Sequence, residues 1–219
     1  MTVVHPIKKR PGRPPAVENP RKRILEQAAQ LFADKGYETA SMADLARSMG
    51  VSKAAVFHYF QTKQQIYDAV ILQALEGLAR TVAEAVAREA AAPEKLRCFM
   101  TAHARYFEAH RPEFITMLVG FGGMDNTGYR DEAMRLRDQH ERLLRDILAE
   151  GMASGAFRQA DVMTTGRAVL SLLNWMVRWF KPGNGARAED VARDYFDLLV
   201  GGLCGAAATT GGRSLQYNE

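Results

Sequence analysis

The sequence predicts an all-α protein with about nine helices, in which an N-terminal three-helix helix-turn-helix domain precedes a C-terminal helical bundle. Three observations support this fold class. Apolar residues recur at helical spacing along most of the 219 residues, and we find no convincing strand pattern. Prolines and glycine pairs fall between the periodic segments. A hydrophobic content of 47% is sufficient for a buried core.

The composition of the first 20 residues predicts that they form a disordered or extended basic arm. Five of the eight prolines lie there, and proline disfavours helix and sheet interiors because it lacks a backbone N–H. Residues 1–23 carry seven basic side chains and one acidic side chain, whereas residues 24–63 are neutral and residues 64–219 carry a net charge of −2. The positive charge is therefore concentrated in the arm, where it can bind nucleic-acid phosphates.

Four helices are predicted after the arm. The first runs from about Arg21 to Lys35, and Gly36 ends it as a C-cap. Serine and threonine at a helix start accept a hydrogen bond from a free backbone amide. On this basis the next three helices begin after Ser41, Ser52 and Thr62. The last of the four continues toward Glu89.

Five further helices are predicted in the rest of the chain. Each shows an apolar stripe with a helical period, and each is bounded by proline, glycine or a polar turn. These segments cover residues 96–110, 112–121, 136–148, 161–180 and 188–204. The tail after Gly205 is small and polar, so we expect residues 206–219 to be flexible.

Residues 41–60 have the spacing of a helix-turn-helix. Ala46 is small where two helices would cross, and Gly50 permits a left-handed turn residue. Val51 and Val56 would pack the second helix onto the first, leaving Lys53 and its neighbours exposed for a DNA major groove. An ordinary helical hairpin would share this pattern, but the adjacent basic arm favours DNA binding.

Residues 21–67 resemble the DNA-binding domain of the TetR family of bacterial transcription regulators. The resemblance is carried by Ala28, Phe32, Gly36-Tyr37, Ser41, Asp44-Leu45-Ala46, Gly50-Val51-Ser52, Tyr59-Phe60 and Lys63. It implies a cytoplasmic, nucleoid-associated bacterial regulator that binds a palindromic double-stranded DNA operator as a homodimer. It also implies that residues 68–205 bind a small-molecule effector and dimerise.

The resemblance also assigns DNA-contacting residues. The helix from Ser52 to Tyr59 would read the operator, and Lys53, Ala55 and Phe57 would face base edges. Phosphate contacts are expected at Ser41, Tyr59 and Lys63. The full expected set is Arg10, Arg13, Arg21, Ser41, Ser52, Lys53, Ala55, Phe57, His58, Tyr59 and Lys63.

Two features of this chain depart from the usual pattern of DNA recognition. The family often has Gly, Thr and Tyr where this chain has Ala54, Ala55 and Phe57, so two hydroxyls are missing. Base reading should therefore depend on Lys53 and on apolar contact with thymine methyl groups. The segment from Arg10 to Pro14 is similar to the core of an AT-hook, which binds the minor groove. A non-specific basic tail is the alternative.

The C-terminal half shows none of the common catalytic motifs, phosphate loops or metal-ligand spacings. The two cysteines, Cys98 and Cys204, are best interpreted as small buried residues of a cytoplasmic protein. No apolar stretch is long enough to cross a membrane, and no secretory signal is apparent. We therefore expect no enzyme activity, no metal, no cofactor and no membrane partner.

Aromatic and methionine side chains on the stripes suggest an effector pocket, although a simple core would use the same residues. The candidate ligand-binding residues are His103, Tyr106, Phe107, His110, Phe114, Met117, Phe121, Trp175, Arg178 and Trp179. The last two helices are expected to form the dimer interface through Trp179, Tyr195, Leu198, Leu199 and Gly202.

The mixture of arginine and aromatic residues favours an amphipathic anion as effector. Residues 174–183 also resemble TetR-type regulators of fatty-acid, steroid or aromatic catabolism, which respond to acyl-coenzyme A thioesters. The resemblance therefore implies a repressor released from its operator by an acyl-CoA. The alternative regulator is a multidrug-efflux repressor that senses lipophilic compounds. An all-helical enzyme and a structural nucleoid protein are remote alternatives.

Overall fold

The computed structural model describes residues 19–125, 127–183 and 185–201. Within these ranges the chain contains nine α-helices, a 3-10 turn at Phe121–Gly123 and no strand, which confirms the predicted all-α class. The helices are α1 Pro20–Lys35, α2 Met42–Met49, α3 Lys53–Phe57, α4 Lys63–Val86, α5 Ala92–Ala109, α6 Arg111–Gly120, α7 Thr127–Ala153, α8 Val162–Trp179 and α9 Ala188–Gly201.

The predicted helix caps are present. Ser41, Ser52 and Thr62 each accept a hydrogen bond from the amide three residues ahead, at 3.1, 3.2 and 3.1 Å. Asn19 caps α1 from a left-handed backbone conformation, which asparagine tolerates better than most residues. These side chains satisfy amides that would otherwise lack a partner, so they fix where the helices begin.

The first three helices form a small head around one apolar centre. Leu25 and Phe32 of α1, Leu45 of α2 and Val56 of α3 are buried, and Phe60 closes this centre before α4 begins. The head does not stand alone, because α1 also packs against α4 and α6. The DNA-binding part and the bundle therefore share a continuous core.

Helix α4 joins the head to the bundle. It contains 24 residues, a length of about 36 Å at 1.5 Å per residue, and its apolar face is buried from Ile66 to Val86, whereas Glu76, Arg80 and Glu84 are exposed. Its first turns contact α1, and the helix packs against α5, α6 and α7. Helix α4 therefore contacts both the head and the bundle.

Aromatic rings fill the centre of the bundle. Phe99, Phe107 and Phe114 are fully buried, and the centroids of the Phe107 and Phe114 rings are 5.2 Å apart. Helix α9 covers α5 from outside. The backbone amide of Ala188, at the start of α9, donates a hydrogen bond to the Glu108 carboxylate of α5 at 2.9 Å.

Candidate DNA-binding surface and effector cavity

The α2–α3 segment has the geometry of a helix-turn-helix. Gly50 adopts a left-handed conformation with φ of 66°, and the Val51 amide donates to the Ala46 carbonyl at 3.0 Å. Ala46 and Val56 are buried between the helices, as predicted. Val51 is 38% exposed, so its prediction as a core residue is wrong; it lies in the turn itself and not on α3.

The outer side of α3 presents the residues expected to read DNA. Ser52, Lys53, Ala55, His58 and Tyr59 are exposed. Phe57 is half-buried, and the Lys53 ammonium lies 5.3 Å from its ring centroid. This surface offers one cation and several apolar groups, which suits phosphate attraction and contact with thymine methyl groups. Its role in base reading stays a prediction.

Ser41 takes part in a local hydrogen-bond network with Asp44 and Arg47. Its hydroxyl accepts from the Asp44 amide and donates to the Asp44 carboxylate at 2.7 Å, and Arg47 binds the same carboxylate at 2.8 Å. The Ser41 hydrogen bond lowers the pKa of Asp44, so this carboxylate is anionic at neutral pH. A DNA phosphate would have to displace Asp44 to receive the Ser41 proton.

Lys63 binds the protein at the position where a phosphate contact is expected. Its ammonium donates to the carbonyls of Tyr37, Glu38 and Ala40 at 2.7, 3.3 and 3.0 Å, and it lies 4.2 Å from the Tyr37 ring centroid. An ammonium has three donors, and all three are used here. Lys63 therefore fixes the α1–α2 loop and has no donor left for DNA in this arrangement.

The structure describes only some of the basic residues near the N-terminus. Arg21 is exposed at the start of α1, with its guanidinium 5.1 Å from the Phe60 ring centroid. Arg10 and Arg13 lie outside the described residues. Their minor-groove or phosphate contacts stay predictions.

A cavity of about 580 Å³ lies among helices α4 to α8. Its walls combine apolar side chains with a small polar group. The apolar residues include Leu75, Leu78, Leu118, Leu136, Leu144 and Leu170, and the polar and charged residues are His103, Arg137, His140, Glu141, Arg145, Arg167, Ser171 and Asn174. This volume and composition are typical of a small-molecule site.

Five of the ten predicted ligand residues line one of two cavities in the bundle. His103, Met117 and Phe121 line the cavity of 580 Å³. Trp175 and Arg178 line a second, more open cavity of about 790 Å³ between α6, α8 and α9, which shares Leu118, Ser171 and Asn174 with the first.

The other five candidates line neither of these two cavities, and their contact with a ligand stays a prediction. Phe107 and Phe114 are fully buried in the aromatic core, and Tyr106 packs against Gly77 of α4. His110 is exposed at the junction of α5 and α6, and Trp179 lies on the outer side of α8. A helical stripe shows which face is covered, but it does not show which part of that face borders a void.

A buried histidine pair forms part of the cavity wall. Nδ1 of His103 lies 3.3 Å from Nε2 of His140, and the two side chains come from α5 and α7. Burial lowers the pKa of His140 to about 4, and burial together with the neighbouring His140 lowers the pKa of His103 well below its usual value. Both rings are therefore neutral at pH 7. Sequence reasoning placed His140 only on an apolar stripe and did not identify the pair.

Charged groups on the cavity wall are mostly positive. Arg137, Arg145 and Arg167 contribute three cations, and Glu141 contributes one anion that Arg137 binds at 3.1 Å. Arg137 also lies 5.2 Å from the Phe121 ring centroid. The wall therefore favours an anionic ligand over a cationic one.

Gln64 connects the cavity end of the bundle with the head. Its amide nitrogen donates to the Gly123 carbonyl at 2.9 Å and to the Asp68 carboxylate at 2.8 Å, and its carbonyl accepts from the Tyr37 hydroxyl. Burial raises the pKa of Tyr37, so this hydroxyl stays protonated as a donor. Gly123 ends the 3-10 turn that begins with Phe121 of the cavity wall.

Close packing reinforces this connection. Gly120, at the end of α6, allows the Tyr67 ring to approach so closely that a Cβ there would lie 2.2 Å from the Tyr67 hydroxyl oxygen. The Tyr67 and Tyr37 rings pack against each other with their centroids 4.3 Å apart and their planes tilted by 40°. The end of α6 and the α1–α2 loop therefore meet across α4.

Comparison with known families agrees with this geometry. The family model described as "Bacterial regulatory proteins, tetR family" matches residues 24–70. The model described as "Tetracyclin repressor-like, C-terminal domain" matches residues 89–203, more than half of the chain. The chain belongs to the TetR family.

Several members of the family resemble the whole chain. The structure of the TetR family transcriptional regulator PfmR from Thermus thermophilus is 50% identical, with a TM-score of 0.77, and the match covers 83% of this chain and 98% of PfmR. The repressor KstR2 of Mycolicibacterium smegmatis is 29% identical over 206 aligned residues, and the match covers 88% of this chain and 95% of KstR2. AibR, solved with isovaleryl coenzyme A and operator DNA, is 25% identical with a TM-score of 0.74, covering 82% of this chain and 97% of AibR.

These similarities confirm the prediction of a ligand-responsive, DNA-binding TetR-family repressor that is not an enzyme. In the part of the chain that the structure describes, no helix is both long enough and apolar enough to cross a membrane.

Proposed function

We propose that this TetR-family repressor is released from its operator by an acyl-CoA thioester. The observation that carries the proposal is the cavity of about 580 Å³, whose wall combines apolar leucines with three arginines and one glutamate. The apolar part suits an acyl chain, and the arginines suit the phosphates of coenzyme A. The similarity to AibR, which was solved with isovaleryl coenzyme A, supports the same ligand class.

The cavity favours this ligand over a lipophilic cation. A site for cations requires acidic or aromatic partners, and Arg137 already contacts both the single glutamate and the Phe121 ring of the wall. A multidrug-efflux repressor is therefore the weaker candidate.

The proposed repressor acts as a homodimer through α8 and α9. Trp175 of α8 is 64% exposed, and Leu198, Leu199 and Val200 of α9 are also exposed, although large apolar side chains are usually covered. Tyr195 lines the second cavity together with Trp175, and Trp179 is exposed at the end of α8, whereas Gly202 lies outside the described residues. Pairing of these helices with their two-fold copies would form a four-helix bundle and place two heads on a palindromic operator. Such a regulator works on the chromosome in the bacterial cytoplasm.

A ligand-binding assay tests the effector class. In a thermal-shift experiment, decanoyl-CoA at 100 times its dissociation constant should stabilise the protein by about 2.7 kcal/mol, which raises the melting temperature by roughly 5–10 °C. Decanoate, coenzyme A alone and the cationic dye rhodamine 6G are the controls, and they should give smaller shifts. Stabilisation by the dye alone would favour the efflux candidate and contradict the thioester.

Gln64 bonds to Gly123 on the cavity side and to Tyr37 on the head side, and we call these two hydrogen bonds the Gln64 bridge. This bridge is the proposed route from the cavity to the DNA. Ligand in the cavity would displace the α6 end near Phe121, and Gln64 would pass this movement to Tyr37 and the α1–α2 loop. The distance between the two heads of the dimer would then no longer match successive major grooves.

Replacing Gln64 with alanine should reduce the coupling between effector and operator. The ratio of operator dissociation constants with and without decanoyl-CoA should fall by about tenfold, since typical coupling free energies are about 1–3 kcal/mol. Tyr37→Phe removes the other end of the same bridge and should show the same loss. Gln30→Ala is the matched control, because Gln30 is exposed and bonds only to Asp34. An unchanged ratio in both bridge variants would exclude this route.

A further inference from the structure

The histidine pair of the cavity wall carries two buried nitrogen atoms that lack partners. His103 and His140 are only 1% and 8% exposed, and their rings join through Nδ1 of His103 and Nε2 of His140 at 3.3 Å. The other two nitrogens, Nε2 of His103 and Nδ1 of His140, have no partner at hydrogen-bond geometry among the described residues, although the Asn174 side chain lies close enough to His103 to oppose the lowering of its pKa. Such groups are costly to bury unpaired, so a ligand that reaches them gains the bonds they lack.

The number of protons on the two rings determines whether each outer nitrogen donates or accepts a hydrogen bond. A neutral imidazole holds one proton, and the hydrogen bond between the rings uses one of the two available protons. Whichever ring donates, one outer nitrogen is left as a donor and the other as an acceptor. The pair therefore always presents one donor and one acceptor.

We propose that this pair, the histidine dyad, recognises an uncharged hydrogen-bonding group of the effector, such as a carbonyl or a hydroxyl. The proposal rests on the effector cavity assigned above and deepens it. A carbonyl would accept from the donor nitrogen, and a hydroxyl could satisfy either nitrogen. Asn174 lies beside His103 on the same wall and can follow either tautomer, because an amide carries both a donor and an acceptor.

The surroundings of the histidine dyad disfavour a charged group at this point. A carboxylate offers only acceptors, so it would satisfy both nitrogens only if a proton were taken up and an imidazolium formed. Arg137 and Arg145 on α7 and Arg167 on α8 face the cavity against the single Glu141, which opposes a further cation. The residues of α4 and α6 on this wall are apolar. The uncharged thioester carbonyl of an acyl-CoA accepts from the donor nitrogen without proton uptake, whereas a carboxylate that bonds to both nitrogens requires a proton to be taken up.

Nitrogen-15 NMR of the full-length protein labelled at histidine tests the histidine dyad directly. At pH 7 without ligand, His103 and His140 should show neutral tautomers joined by one shared proton. Saturation with decanoyl-CoA or decan-1-ol should shift both signals, while the signal of the exposed His58 in the head stays unchanged. An imidazolium at either position, or dyad signals unmoved by all probes, would overturn the proposal.

Calorimetry in two buffers of different ionisation enthalpy counts the protons taken up on binding. Decanoyl-CoA and decan-1-ol should bind without net proton uptake, whereas decanoate should take up close to one proton and bind at least tenfold more weakly at pH 8. Decanoate bound tightly without proton uptake would contradict an uncharged recognition group.

A double variant separates recognition from stability. His103→Leu with His140→Leu removes both partners at once, so no buried nitrogen is left unpaired and the melting temperature should not fall. The same variant should bind decan-1-ol at least tenfold more weakly, whereas Gln30→Ala, at an exposed residue of α1 outside the cavity, should bind it normally. Native affinity in the double variant would overturn the proposal, and the NMR experiment on the unaltered protein decides it if that variant does not fold.

These experiments also separate the two proposals. Dyad signals that move with decan-1-ol while acyl-CoA does not bind would support the histidine dyad and reject the thioester effector. Operator release by acyl-CoA without movement of the dyad signals would support the effector and reject the dyad.

Discussion

Phe107→Ala is expected to destabilise the protein by about 3–5 kcal/mol, because it removes a fully buried ring and leaves a cavity that the core cannot fill. The lost ring is in contact with two others: the centroids of Phe114 and Phe180 lie 5.2 and 5.9 Å from that of Phe107. Urea unfolding followed by circular dichroism should measure the loss as a lower midpoint with little change in slope.

A residue of the cavity wall provides the matched control for this prediction. Phe121→Ala should cost much less stability, because Phe121 is half-buried and already borders empty space. It should weaken effector binding instead. A stable Phe107→Ala protein with lost effector binding would reverse the assignment and restore the sequence prediction that Phe107 contacts the ligand.

Lys63→Met is expected to weaken operator binding by tenfold or more without changing its salt dependence. The variant removes the ammonium that joins the carbonyls of Tyr37, Glu38 and Ala40, and hydrogen bonds to charged groups contribute about 1.5–3 kcal/mol. The α1–α2 loop, and with it the start of α2, would lose its fixed position. Operator titrations at several salt concentrations measure both quantities.

The salt dependence distinguishes the two roles of Lys63. A lost phosphate contact should reduce the salt slope by about one, whereas a lost loop contact should leave it unchanged. Lys53→Met is the comparison, because the exposed Lys53 makes its nearest contact with the Phe57 ring and should affect DNA binding without affecting stability. A slope reduced by one in Lys63→Met would restore the phosphate contact that the family resemblance implies.

Local features of the fold were predictable from the sequence. Ser41, Ser52 and Thr62 begin their helices as expected, because capping depends on a side chain and an amide only three residues away. The left-handed Gly50 was predictable for the same reason. The prediction that Val51 is buried was wrong, because its exposure depends on how α3 lies across α2 and not on its own neighbours in sequence.

The effector site was only partly predictable. The histidine dyad joins residues that are 37 positions apart, and no sequence pattern states which stripe of α5 will face which stripe of α7. Five of the ten ligand candidates lie in the core or on the outer surface, because adjacent positions of one aromatic stripe face different neighbours. Lys63 matched the family pattern, yet its three bonds became evident only once the α1–α2 loop was placed beside it.

The Gln64 bridge has a consequence for how such regulators diversify. On the cavity side it ends on a backbone carbonyl, that of Gly123, and every amino acid supplies such a carbonyl. Mutations in the cavity wall can therefore change which molecule is sensed while the bridge to the head is retained. Selection for a new inducer would then act on the cavity-wall residues, and selection for a working response would act on the bridge residues. The cavity wall can therefore change while the bridge is conserved.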